Sequence, residues 1–190
     1  MGESNNYSRR QTEKINKIER FKSFKGTDWP GEIDLENVEI SAFPSNLRSV
    51  GGIYAPKIGV RELKLDSVRL AVWCNQAPAL ESVKIEHVGR AVFFNDSPLL
   101  SSVEMRTIGN QCNLSGCPNL NNLKLQKVFS FLSLTNTSIT LKQISSFDGE
   151  KIIIECGELF IGNSSLEQAS DAEILQVFSL DPQGINRMRD

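Results

Sequence analysis

The sequence predicts a mainly β chain, wound as a right-handed parallel β-solenoid of about 20 residues per turn with a short helical cap at each end. Three observations predict it. Pro78, Pro98 and Pro118 recur at 20-residue intervals, and each opens the same pattern of apolar residues. Within a repeat, Val83-Lys84-Ile85 and Val92-Phe93-Phe94 each place alternate residues in apolar columns, the signature of strands with one buried face. Helix signals stand only outside the repeat array, where open ends would need covering.

The repeat is read in columns. Leu80-Glu81-Ser82-Val83-Lys84-Ile85, Leu100-Ser101-Ser102-Val103-Glu104-Met105 and Leu120-Asn121-Asn122-Leu123-Lys124-Leu125 are copies, and Val60, Leu63 and Leu65 begin an earlier one. Val68, Val88, Ile108 and Val128 form the next column, followed by Val72, Val92, Cys112 and Leu132, then Cys74, Phe94, Leu114 and Leu134. Every position in these columns is apolar, although only 39% of the chain is hydrophobic. A unit this short cannot bury its own apolar face, whereas stacked copies about 4.8 Å apart make one continuous core.

Three segments follow: 1–30 as polar N-terminus and capping helix, 31–166 as solenoid, 167–190 as C-terminal capping helix and polar tail. In the first, Ile15, Ile18, Phe21 and Phe24 recur every three residues across 11–25, and Gly26 stops the helix. In the solenoid, Ile33-Asp34-Leu35 with Val38 matches Leu63-Lys64-Leu65 with Val68 as an early irregular coil, and the register of Leu47 to Pro56 is ambiguous. After Ser138 the period slips. Strand-like runs return at Ile152-Ile153-Ile154 and Leu159-Phe160-Ile161, and Phe160 to Leu166 matches Phe93 to Leu99. In the last segment Ser170-Asp171-Ala172-Glu173 is a capping box, opening a helix with Ile174, Leu175 and Phe178 that Asp181-Pro182 ends. Asn75, Asn95, Ser115 and Thr135 share a turn column, where side chains are expected to bond to one another and to the turn backbone.

Composition narrows the function classes. A net charge of −2 argues against nucleic acid, since phosphate recognition needs an excess of Lys and Arg. No apolar run reaches the roughly 20 residues of a membrane span. The polar start, without an apolar segment, predicts a cytoplasmic, reducing location, with export by a signal-less route as the alternative. Cys74, Cys112, Cys117 and Cys156 lack paired metal-ligand spacing; Cys74 and Cys112 fall in apolar columns and read as small hydrophobes. The acceptor patterns at Asn95, Asn113, Asn136 and Asn163 read as turn composition. No metal and no cofactor are expected.

The spacing Leu80-x-x-Val83-x-Ile85 resembles the leucine-rich-repeat core over roughly residues 30–166. Ile108-Gly109 with Leu114-Ser115-Gly116-Cys117-Pro118-Asn119-Leu120 is similar to the divergent bacterial surface-antigen type. Short β-helices of the receptor L-domain kind are a second resemblance. The chain departs from the usual repeat in carrying Val68, Val88, Ile108 and Val128 where Asn or Cys normally follows the strand. The resemblance implies a scaffold that binds proteins, or in some cases glycans, through a repeated strand face.

Outward columns are the candidate sites. One reads Lys64, Lys84, Glu104, Lys124; the next reads Asp66, Glu86, Arg106, Gln126, with opposite charges on neighbouring rungs. These pairs either enforce register or form a charged binding face. On the second strand Trp73 and Phe93 point outward on adjacent rungs, as a hot spot for a protein or a stacking platform for a sugar, unless a cap covers them. The expected function is non-catalytic protein recognition. The alternatives are a secreted or injected bacterial factor that recognises glycans or host proteins, and a β-helix enzyme acting on polysaccharide. The enzyme reading is weakest: stacked Asp66 and Glu86 are followed by Arg106 rather than more oxygen ligands, and the lone histidine, His87, has no nucleophile set beside it.

Overall fold

The computed structural model of the chain describes residues 3–145, 154–180 and 184–187. It is a parallel β-solenoid of about seven turns. A helix, α1 (Glu3–Lys22), is followed by β1 (Asp28–Asp34) and β2 (Ser49–Tyr54). Three regular rungs each contribute a long and a short strand: β3 (Glu62–Val68) with β4 (Val72–Trp73), β5 (Ser82–Val88) with β6 (Val92–Phe93), and β7 (Ser102–Ile108) with β8 (Cys112–Asn113). β9 (Asn122–Ser133) runs unbroken across both positions. β10 (Ile144–Ser145), β11 (Ile154–Phe160), the four-residue helix α2 (Asp171–Ile174), β12 (Phe178–Leu180) and β13 (Ile185–Asn186) complete the chain.

The strands pair in parallel with the register that the columns predict. Leu63, Val83, Val103 and Leu123 are successive partners, as are Val72, Val92, Cys112 and Leu132. All of these side chains are buried in one continuous core. Alternation explains it: one face of each strand goes inward, and stacking supplies the apolar neighbours that a lone turn lacks.

The corner between the two strands explains a column of glycines. A β-carbon at Gly89 would stand 2.0 Å from the Arg69 carbonyl oxygen, and one at Gly109 would stand 2.1 Å from that of Gly89. Backbone therefore packs on backbone here. The turn after the second strand is built on left-handed residues in every rung, Asn37, Lys57, Gln76, Asp96, Gly116, Asn136 and Asn163, with φ between +53° and +67°. At Lys57 and Gln76 that conformation costs about 1–2 kcal/mol. A ladder of backbone bonds offsets it: Lys57 donates to the Asn75 carbonyl at 2.9 Å, Gln76 to Asn95 at 2.8 Å, and Asp96 to Ser115 at 2.9 Å.

The structure revises several local expectations. Ile33-Asp34-Leu35 sits in register with Ile53 and Val72, on the second-strand position, and not with Leu63-Lys64-Leu65. Polar side chains of the turn column bond within their own turns: Asn95 Nδ2 donates to Asp96 at 2.8 Å, and Ser115 Oγ to Asn113 Oδ1 at 2.6 Å. The capping box at Ser170 and Glu173 forms, but α2 ends at Ile174, and Phe178 begins a strand that pairs with β11. Phe178 fills the core better as a strand residue, paired with Ile154 and fully buried, than on a second helical turn. Ile152, Ile153, Asp181 and Pro182 lie outside the described residues. At the opposite end α1 lays Ile18 and Phe21 over the first rung, where Phe21 meets Trp29 and Phe43 edge to face.

Candidate functional site

Two outward columns carry the residues singled out above, and they behave differently. On the first-strand face Lys64 pairs in register with Lys84, Lys84 with Glu104, and Glu104 with Lys124. Glu104 lies between two cations, 3.0 Å from Lys84 Nζ and 3.6 Å from Lys124 Nζ. In the neighbouring column Asp66 faces Arg48 at 3.6 Å, Glu86 is exposed, and Arg106 donates to Gln126 at 3.4 Å. His87 Nδ1 is 2.7 Å from the Thr107 hydroxyl. Lys64 also lines a shallow cleft with Phe43, Arg48 and Arg61 at the start of this face. The face is largely occupied with itself.

The second-strand column reads Asp34, Tyr54, Trp73, Phe93, Asn113, Ser133 and Phe160. The inward neighbours Val72, Cys74, Val92 and Phe94 are fully buried, which forces Trp73 and Phe93 outward. Their rings stack with centroids 3.9 Å apart and planes at 19°. Trp73 is 41% exposed, and so is Tyr54 on the rung before it. Lys14 of α1 pairs with Asp34 at 2.8 Å, at the start of this column. The stack runs from rung to rung, so Trp73 and Phe93 each spend one ring face on the other.

Tyr54 was not legible as part of this stripe, because the register of Leu47 to Pro56 could not be read. Sequence reasoning also missed Phe129, outside the stripe, which occupies the corner column of Gly89 and Gly109 and is 61% exposed. Lys127 Nζ lies 4.7 Å from the Phe129 ring centroid and pairs with Glu155. β9 runs straight through this corner, so the signal for Phe129 was the absence of glycine at that position.

The inner chemistry is inert. All four cysteines are free and buried. Burial pushes the Cys117 and Cys156 thiols up to about 11, and those of Cys74 and Cys112 higher still. Thiols so shifted are poor nucleophiles and poor metal ligands. Among the described residues no group of three His, Cys, Asp or Glu side chains is placed to hold a metal ion, and no helix is long and apolar enough to cross a membrane.

No family model, no curated protein and no solved structure matches the chain significantly.

Proposed function

We propose that this chain is a non-catalytic recognition scaffold that binds a protein partner through Tyr54, Trp73 and Phe93. The observation that carries the reading is Trp73, 41% exposed while stacked on Phe93 at 3.9 Å. Exposed aromatic surface held rigid by its neighbours costs little further ordering when a partner arrives, which is the property of interface hot spots. The resemblance of Leu80-x-x-Val83-x-Ile85 to leucine-rich repeats points to the same use. The four buried, up-shifted thiols and the self-paired charged face fit a scaffold better than a site of reaction.

A glycan partner is the second reading. A sugar stacks on an open ring face, and here the facing surfaces of Trp73 and Phe93 are taken. With one face of each ring spent, the stack has less to offer a sugar than apolar side chains of a protein. Immobilised protein, set against cell lysate and a glycan library, separates the two. Capture of a purified protein partner by the wild type, and its loss in the Trp73→Ala/Phe93→Ala variant of equal melting temperature, supports the proposal. Equal capture by both refutes the site, and capture of glycans alone refutes the partner class.

A further inference from the structure

The first rung carries a cleft of about 770 Å³ that the aromatic stripe does not include, formed where α1 crosses β1. Its floor is Trp29, which is 92% buried and clasped edge to face by Phe21 and Phe24, each with centroids 5.3 Å away. Trp29 Nε1 is the one buried side-chain nitrogen or oxygen without a hydrogen-bond partner among the described residues. An unpaired buried donor is costly, and native folds rarely keep one without a reason. Gly31 stands beside it. A β-carbon built at Gly31, a residue of the cleft wall, would find only Trp29 Nε1 within 4 Å, at 3.7 Å, apart from its chain neighbours. The indole nitrogen thus lies just beneath the cleft wall at Gly31, shut off from solvent, with only that glycine's backbone segment on this side.

The rim has a definite charge. Lys17, Arg20 and Lys25 line it against one carboxylate, Glu13. None of the three cations is held in an ion pair among the described residues. Arg20 also suits the end of a helix, where cations favour the dipole, but that effect does not explain Lys25 or the unpaired donor below. The ring of Phe24 and the backbone of Pro30 and Gly31 give the cleft an apolar wall.

We propose that this cleft binds a small amphipathic dianion, a phosphate monoester on a flat apolar body. Its phosphoryl oxygens take the Lys17, Arg20 and Lys25 cations, a small shift of the backbone at Gly31 admits one acceptor atom to the Trp29 N–H, and the body lies against Phe24. The site is separate from the aromatic stripe and stands or falls apart from it.

The test uses the full chain, labelled with ¹⁵N, and follows the two indole N–H resonances, with Trp29→Phe to assign them. Phenyl phosphate is titrated first, then inorganic phosphate. The expected result is a saturable downfield movement of the Trp29 resonance with the Trp73 resonance unmoved. Phenyl phosphate should act at a concentration at least about tenfold below inorganic phosphate, from burial of the ring. The exposed triple variant Lys17→Gln/Arg20→Gln/Lys25→Gln, which leaves the core untouched, should weaken the effect by about tenfold or more. A motionless Trp29 resonance, or an unchanged titration in the triple variant, overturns the proposal. Equal action by the two phosphates overturns the amphipathic ligand.

Discussion

The two outward columns lie over the same core and in the same register, yet they spend their surface differently. The charged column largely closes on itself: Lys84 and Lys124 both reach Glu104, while Lys64 stands beside the like charge of Lys84. The aromatic column stacks, but stacking takes one face of each ring and still leaves Trp73 41% exposed. The lesson is that parallel stacking turns any outward column into a ladder, and the chemistry of the ladder decides whether it has anything left to offer. Opposite charges neutralise along the ladder; aromatic rings pre-order one another and remain available.

Substitutions can break or sharpen this contrast. The largest effect is expected one residue inside the stripe. Phe94→Ala empties a fully buried position and should cost about 3–5 kcal/mol, whereas Phe93→Ala next to it should cost under about 1 kcal/mol. Urea melts of the pair measure both. Similar losses would mean that the outward ring is structural. At the corner joining the two faces, Gly109→Ala forces a β-carbon onto the Gly89 carbonyl and should cost about 1–3 kcal/mol, visible as a lower melting temperature.

Alkaline pH tests the core beneath both columns. Burial raises the Cys117 and Cys156 thiols from an ordinary 9.0 to about 11. Folding keeps them protonated, so above pH 9 the unfolded chain binds fewer protons than the folded one. Their contribution is full below pH 9 and is lost as pH rises towards 11. Melting temperature recorded from pH 7 to 11 should fall progressively above pH 9, and Cys117→Ser/Cys156→Ser should lessen that fall, the remainder coming from Cys74 and Cys112. The smallest effect belongs to the charged column. Glu104→Ala leaves Lys84 and Lys124 without their shared anion and should cost roughly 0.2–1 kcal/mol, a difference that 1 M salt erases.

Much of this was legible in the sequence wherever the period held. Between Gln76 and Asn136 the left-handed turn positions recur every 20 residues, and there each strand, inward column and outward column fell where the repeat put it. Between Lys57 and Gln76 the interval is 19, and that one-residue change hid the register of Leu47 to Pro56 and with it Tyr54. The turn column fell on Asn75, Asn95, Ser115 and Thr135 as read, each one residue before the left-handed position of its rung. Lys57 and Gln76 give no sign of a left-handed backbone, which the stacked carbonyls impose from outside. Ile33-Asp34-Leu35 had the right alternation for either strand, and pairing with β2 alone decided between them. The cleft at Trp29 depends on how α1 crosses β1, an angle that no local pattern encodes.

Photo-cross-linking tests the central claim most directly. A photoreactive phenylalanine analogue is introduced at position 73 in one protein and at position 84 in another, each verified to melt as the wild type does. With the purified partner, the account predicts adducts from position 73 and none from position 84. Adducts from position 84 alone would contradict it, and would give the binding role to the face bearing Lys64, Lys84, Glu104 and Lys124.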